Sequence, residues 1–313
     1  SDLNYFEISS SLPFYDFIGV IYNHGIFGVH VFYTISGFVF AHIYLSSNQR
    51  VTSKNFFVNR FARLYPLHFT TLILVTFLQL FSLEIFDTFQ VIQINDLYHF
   101  ILQIFFISSW GFENGHSFNA PIWSVSVEVA IYIMFFFLLT IIKKYKVIFV
   151  ILLSVILLII DKMKFFDTLF LECARLFFSG ILVYYFFNMK FNNNVYLILP
   201  LILIPLAFLG NFKTFLFCPA LVLFFVAVDT FIKKDTIKLT FRKLGNLTYS
   251  LYLLHLPFQI LLIIIWKIFD LDEIVFANFF FLIAFFLFLI ITANLCFKLY
   301  EKPLNDLIRK KFK

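Results

Sequence analysis

Charged residues and cysteines are both scarce in this sequence, and each shortage narrows the class of protein. Only 13% of the 313 residues are charged, whereas 62% are hydrophobic and 22% are aromatic. A soluble core of this length does not need so much apolar side chain, so the surplus is predicted to face lipid. The three cysteines, Cys173, Cys218 and Cys296, lie in or beside apolar runs without metal-ligand spacing. They are predicted to be core thiols, with no disulfide framework and no metal site.

The chain also shows no signal peptide, no internal repeat of 20 to 50 residues and no linker. We therefore expect one membrane domain over residues 1–313, with an all-α, polytopic transmembrane helix bundle as its fold. Nine apolar runs are candidate spans, at 19–45, 64–83, 121–142, 147–160, 173–188, 195–211, 215–232, 246–266 and 275–299. A tenth run, 97–110 (LYHFILQIFFISSW), is too short to span comfortably.

The basic residues indicate how the chain is oriented. They cluster in 50–63, 143–146, 233–243 and the tail after 297, whereas 1–18 and 84–96 are acidic or nearly neutral. By the positive-inside rule these four clusters share the cytoplasmic side, provided that 97–110 is a re-entrant or interfacial segment on the outer side. The net charge of +6 is thereby explained by orientation, and no nucleic-acid partner is expected.

With this orientation the chain crosses nine times, beginning outside and ending in the cytoplasm. An odd number of crossings with an outside N-terminus is unusual. Because the sequence begins with Ser1 rather than Met, we expect one further helix upstream, which gives ten.

Ionisable residues inside spans are costly, so each one is a functional hypothesis. The apolar run APIWSVSVEVAIYIMFFFLLTII contains Glu128, which shares a helix face with Ser124 and Tyr132 at four-residue spacing. The pair in RFAR, Arg60 and Arg63, lies one helical turn apart and suits phosphate groups, which guanidinium binds bidentately. The other ionisable residues within spans are His30, Arg175, Asp229 and His255.

Each of these residues also has a structural interpretation. The two arginines could be positive-inside anchors, the two histidines could be hydrogen-bonded structural residues, and Glu128 could pair with Arg175 or a histidine. Two residues are assigned no chemistry, because Arg175 is expected to pair with Glu172 and Asp229 to neighbour Lys233 near the cytoplasmic end of its span.

Five stretches together resemble the acyltransferase-3 family of integral membrane acyltransferases. They are GVHVFYTISGF (28–38), RFARLYP (60–66), WSVSVE (123–128), LGNLTYSLYLLHLP (244–257) and the ending LYEKPLNDLIRKKFK. The resemblance covers essentially the whole chain and implies about ten membrane helices in a bacterial inner membrane. It also implies transfer of an acyl group, often acetyl, from cytoplasmic acyl-coenzyme A to a hydroxyl of an extracytoplasmic sugar, as in O-antigen and exopolysaccharide O-acetyltransferases. The partners would be acyl-coenzyme A as donor substrate, a polysaccharide or lipid-linked sugar acceptor and membrane lipid, with no bound cofactor.

The resemblance also implies roles by position. The arginines of its Arg-x-x-Arg segment would bind the donor's phosphates. The catalytic candidates are Glu128, His255 and His30, although many members have Asp at the position of His30. Further substrate contacts are expected from Arg60, Arg63, Ser36, Trp123, Ser124 and Tyr252.

The family's essential histidine lies on its first helix, which we expect upstream of this sequence, and His24 is not a convincing substitute. The sequence alone is therefore expected to be inactive. Our hypothesis takes that histidine as general base, oriented by Glu128, with Ser124, Tyr252 and His255 hydrogen-bonding the acceptor or carbonyl oxygen. The alternatives are a transporter or flippase of a lipid-linked sugar, which would predict repeats and broken helices in both halves, and a non-catalytic membrane subunit.

Overall fold

A computed structural model describes residues 15, 19, 23–46, 51–163, 168–189, 191–209, 213–272, 275–276 and 278–312. Within these ranges the chain is helical, and the one extended pairing is an isolated bridge between Ile94 and Ser117. The predicted all-α, polytopic helix bundle is confirmed. Most of the acidic segment 1–18, and the beginning of the predicted span 19–45, lie outside the described residues.

Within the described ranges, ten α-helices follow one another. They are α1 (Ile26–Tyr44), α2 (Ser53–Phe86), α3 (Leu97–Ile104), α4 (Ile122–Lys162), α5 (Thr168–Phe187), α6 (Asn193–Leu209), α7 (Lys213–Phe231), α8 (Asp235–Ile268), α9 (Phe279–Cys296) and, after a π-helical turn at Phe297–Glu301, α10 (Lys302–Phe312).

The second helix begins well before the apolar run that predicted it. Thr52 caps α2 by accepting a hydrogen bond from the backbone N–H of Asn55 at 3.3 Å, so the helix starts at Ser53 instead of near 64. Arg60 and Arg63 therefore lie within the helix, on its third turn. The basic segment predicted as a loop at 233–243 is likewise helical from Asp235 onward.

Helix α4 folds back on itself at Lys146, where the backbone leaves the helical region with φ 53° and ψ −136°. Phe135 packs on Phe177 at 5.7 Å between ring centroids, while Asp161 pairs with Arg175 only two residues earlier. A continuous helix would place Phe135 and Asp161 about 39 Å apart, too far for both to reach neighbouring residues of α5. The two halves of α4 are therefore the two separate predicted spans, 121–142 and 147–160.

Seven helices in the described part of the chain are long and apolar enough to cross a membrane, α4 being counted once. The apolar helix Asn194–Phe208 falls just below that length. With α4 taken as two segments and this shorter helix added, the apolar segments correspond to the nine predicted spans.

The segment predicted not to cross, 97–110, contains only the eight-residue helix α3. Eight residues cover about 12 Å, far less than a bilayer core of about 30 Å. Asp96 caps this helix by accepting from the His99 backbone N–H at 2.9 Å, and this bond holds the pKa of Asp96 below its usual range. After α3 the chain turns back towards α4, where the Ser109 N–H donates to the Ser126 Oγ at 3.1 Å.

The core is built on a close parallel crossing of α1 and α5. A Cβ on Gly37 would lie 1.8 Å from the Phe177 carbonyl oxygen, and a Cβ on Gly180 would lie 2.0 Å from the Thr34 carbonyl oxygen. Only glycine lets the two backbones approach this closely, as at the small-residue crossings typical of membrane helices. This contact positions the C-terminal half of α1 beside α4.

Candidate functional site

Glu128 lies at the centre of a buried hydrogen-bonded cluster. Its side chain is 1% exposed, and its Oε1 accepts hydrogen bonds from the Ser36 Oγ at 3.0 Å and from the Tyr132 hydroxyl. Tyr132 is one helical turn further along α4, and its hydroxyl is also 3.3 Å from the Ser36 Oγ. Two of the sequence stretches singled out above, on α1 and α4, thus meet at one carboxylate.

Arg60 joins this cluster from α2. Its guanidinium lies over the Phe40 ring at 4.8 Å and over the Tyr132 ring at 5.7 Å. Both Arg60 and Arg63 interact electrostatically with the Glu128 carboxylate. Segment 50–63 was predicted to be a cytoplasmic basic cluster between two spans, whereas the structure brings its arginines into one site with Glu128. The early start of α2 accounts for the difference, because it puts Arg60 on a helix next to Phe40 of α1 and Tyr132 of α4.

Arg63 binds a second buried acid. Its Nη1 lies 3.1 Å from the Oε1 of Glu301, which is 2% exposed and also accepts a hydrogen bond from the Ser250 Oγ at 2.5 Å. The Tyr249 hydroxyl donates to the Leu64 carbonyl oxygen at 2.6 Å, which ties α8 to α2 beside this pair. Glu301 carried no role in the sequence analysis. The signal that could have found it was a carboxylate directly after the last apolar run.

A second polar cluster lies at the N-terminal end of α4. The Ser124 Oγ is 2.8 Å from the Tyr252 hydroxyl, and both also donate to the Pro121 carbonyl oxygen. The Tyr33 hydroxyl donates to the Ser124 carbonyl oxygen at 2.6 Å. The half-buried His255 lies beside Tyr252, with ring centroids 5.9 Å apart.

Trp123 is adjacent to this cluster and half-buried, and its ring lies 6.4 Å from that of His116. The structure therefore places Trp123, Ser124, Tyr252 and His255 within one region. That region is one turn from Glu128 along α4. On α1, Tyr33, which contacts Ser124, lies three residues before Ser36, which contacts Glu128.

The family model described as an acyltransferase domain matches residues 3–297. The chain belongs to the acyltransferase-3 family. No curated protein and no solved structure gives a significant match. The match establishes a membrane acyltransferase and confirms the family resemblance, while the site residues remain predictions.

His30 occupies a different part of this acyltransferase from Glu128. Its buried imidazole lies with Nε2 3.5 Å from the Oε1 of Glu172 on α5. The residue that reaches Glu128 from α1 is instead Ser36, almost two turns further along that helix. The structure thus gives His30 a carboxylate partner that the sequence analysis did not propose.

One predicted ion pair is wrong. Arg175 was expected to pair with Glu172, but its guanidinium binds Asp161 at the end of α4 and lies 3.7 Å from the centre of the Phe215 ring. The fold-back of α4 brings Asp161 to this position, which sequence spacing could not show.

Asp229 was expected to neighbour Lys233. In the structure its carboxylate lies 3.6 Å from the Nζ of Lys238, because the chain between α7 and α8 turns and brings the first turn of α8 next to it. In the part of the chain that the structure describes, no group of three His, Cys, Asp or Glu residues is placed to hold a metal ion.

Proposed function

We propose that this acyltransferase moves an acyl group, with acetyl as the expected group, from cytoplasmic acyl-coenzyme A to a hydroxyl of an extracytoplasmic sugar, polysaccharide or glycolipid. We place it in a bacterial inner membrane with a cytoplasmic C-terminus. One observation carries the proposal. Two polar clusters lie one turn apart on α4: Glu128 has arginines on one side, and the hydroxyl groups of Ser124 and Tyr252 with the His255 imidazole on the other.

The donor end is formed by Arg60 and Arg63. Guanidinium groups bind phosphates through paired N–H donors, and coenzyme A carries three phosphates. Stacking on Phe40 and Tyr132 fixes the plane of Arg60, which reduces the entropy lost when a phosphate binds. Because these arginines also interact with Glu128, a donor held here would have its thioester directed towards the carboxylate cluster.

The acceptor end comprises Ser124, Tyr252 and His255. In the transfer, the acceptor hydroxyl oxygen forms a bond to the thioester carbonyl carbon and the carbon–sulfur bond breaks. The hydroxyl proton is taken up by a histidine base and passes to the departing thiolate to give coenzyme A. Tyr252 and Ser124 would turn their hydroxyl hydrogens from the Pro121 carbonyl oxygen to the oxyanion, and His255 would hydrogen-bond the acceptor.

Glu128 would position this machinery rather than react. Its carboxylate orients Ser36 and Tyr132 and balances the charge of Arg60 in a site closed to water. Exchanging it for an amide keeps the shape but removes the negative charge. We therefore expect Glu128→Gln to lower acyl transfer by about a hundredfold.

The experiment measures transfer of label from radioactive acetyl-coenzyme A to surface polysaccharide in membranes carrying the product of the complete gene. Asp229→Asn is the matched control, because it makes the same acid-to-amide change at an exposed carboxylate and should leave transfer unchanged. The proposed function would be contradicted if the wild type transferred no label but transported a lipid-linked sugar. Near-normal transfer by Glu128→Gln at normal expression would contradict the role of Glu128 alone.

A further inference from the structure

The last helix presents a polar face to the start of α2. Glu301, Asn305 and Arg309 follow at four-residue spacing, so the π-helical turn and α10 direct them to one side. Glu301 and Asn305 are buried and Arg309 is half-buried, whereas the neighbouring Lys310 is exposed. Glu301 pairs with Arg63, and Arg309 interacts electrostatically with Arg60, Arg63 and Tyr44, so α10 lies along the N-terminal part of α2.

Several polar atoms on the facing parts of α2 and α10, from Asn59 to Arg63 and from Glu301 to Arg309, have no hydrogen-bond partner among the described residues. They are the Nε atoms of Arg60 and Arg309, the Oδ1 atoms of Asn59 and Asn305, and the Oε1 of Glu301, which has only its ion pair with Arg63, all shielded from solvent. A buried N–H donor of a guanidinium without an acceptor is unfavourable, and buried polar groups are normally paired. One anion between α2 and α10 would satisfy both guanidinium donors.

The charges between α2 and α10 also favour a bound anion. Arg60 and Arg63 both repel Arg309 electrostatically, with Asp306 as an attractive neighbour of Arg309 on its own helix. Glu301 forms its ion pair with Arg63. Within the described ranges, no carboxylate oxygen lies within 4 Å of the guanidinium nitrogens of Arg60 or Arg309. Three guanidinium groups held together in this way would be stabilised by an anion between them.

We infer that Arg309 completes, with Arg60 and Arg63, a binding site for a phosphate group of the acyl donor. This inference rests on the proposed function and adds a residue beyond the family match, which ends at residue 297. A lipid headgroup offers the same phosphate chemistry. The donor is favoured because Arg60 also contacts Tyr132, whose hydroxyl binds Glu128, so a phosphate here is connected to the reacting end of the site.

The experiment measures binding of coenzyme A to the purified product of the complete gene in detergent. Arg309→Gln should weaken binding about tenfold or more, because it removes a charge-assisted contact, and Arg309→Lys should lie between it and the wild type. Lys310→Gln is the matched control, since it removes one positive charge from an exposed position of the same helix. Dephospho-coenzyme A, which lacks the 3′-phosphate, identifies the phosphate concerned. If Arg309 binds the 3′-phosphate, the wild type and Arg309→Gln should bind this probe with equal affinity.

Unchanged melting temperatures in detergent would show that the variants are folded. If Arg309→Gln does not fold, Arg309→Lys serves as the test variant. Equal affinities of Arg309→Gln and Lys310→Gln for coenzyme A would overturn the inference. The inference would also be overturned if Arg309→Gln lost co-purified phosphatidylglycerol but kept its affinity for coenzyme A, because the site would then hold lipid. If the wild type neither binds coenzyme A nor transfers the acyl group, the proposed function itself fails.

Discussion

Asn119 lies where a proline interrupts the hydrogen bonding of α8. Pro257 has no N–H, so the Leu253 carbonyl oxygen, four residues earlier, loses its helical partner. The Asn119 Nδ2 donates to that oxygen at 3.2 Å and also to the Thr71 Oγ1 at 3.0 Å. One buried amide thus connects α2 and α8 to the beginning of α4, next to the cluster of Ser124 and Tyr252.

We expect Asn119→Ala to destabilise the protein by about 1–3 kcal/mol, because it leaves the Leu253 carbonyl oxygen buried without a partner. Thermal unfolding in detergent measures this as a lower melting temperature. Asn114→Ala, at an exposed position of the same loop, is the control and should have little effect. If both variants melt like the wild type, the amide does not support the interrupted helix.

At the residue scale the sequence was informative about which side chains are unusual and uninformative about their partners. Glu128 could be singled out as an acid in an apolar run, and Tyr132 follows from helical spacing. Ser36 and Arg60 come from other helices, so their contacts depend on packing that no local pattern encodes. Asn119 and Glu301 were missed for the same reason, since each acts through residues distant in the chain.

At the scale of elements, the crossing of α1 and α5 positions the site. Ser36, which binds Glu128, is adjacent to Gly37, the residue whose missing side chain allows the close approach to Phe177. A change in the distance between these helices would therefore move Ser36 relative to α4. The stability of this crossing and the geometry of the carboxylate cluster are expected to change together.

Gly37→Ala should destabilise the protein by about 1–3 kcal/mol or more, because its Cβ would overlap the Phe177 carbonyl oxygen and force the helices apart. Gly28→Ala, in the same helix but with no atom within 4 Å of the added Cβ, is the matched control. It should be neutral or stabilising by up to about 1 kcal/mol, since alanine favours helix. Melting temperatures in detergent compare the two, and equal values would mean that the crossing tolerates a methyl group.

The existence of the helices was predictable from the sequence, but several of their boundaries were not. Hydropathy detects the lipid-facing part of a helix, whereas α2 and α8 continue through basic segments that were assigned to loops. The apolar runs on both sides of KKYK did predict the separate halves of α4, because the intervening charges mark a turn. Which helices pack together could not be predicted, since lipid-facing and buried apolar residues look alike in sequence.

At the scale of the whole molecule, the basic clusters lie at one end of the bundle. Tyr44 and Phe56 pack on Phe135 and Phe136 of α4, so the turn at Lys146 lies beyond the start of α2. Three contacts between helices extend this end to α8 and α10. They are Arg63 with Glu301, Ser250 with Glu301, and Tyr249 with the Leu64 carbonyl oxygen. The fold therefore groups the charges as the positive-inside pattern requires.

This grouping predicts which residues are accessible from each side of the membrane. With the basic clusters in the cytoplasm, as proposed, a membrane-impermeant maleimide should label Asn114→Cys in intact cells but neither Lys144→Cys nor Lys310→Cys. All three positions are exposed, and Cys173 and Cys218 are buried, so replacing Cys296 with serine removes the main background. Permeabilised cells provide the control, since all three variants should then react. Labelling of Lys144→Cys in intact cells, with Asn114→Cys protected, would require the inverted orientation, and the arginine cluster would then face away from cytoplasmic acyl-coenzyme A.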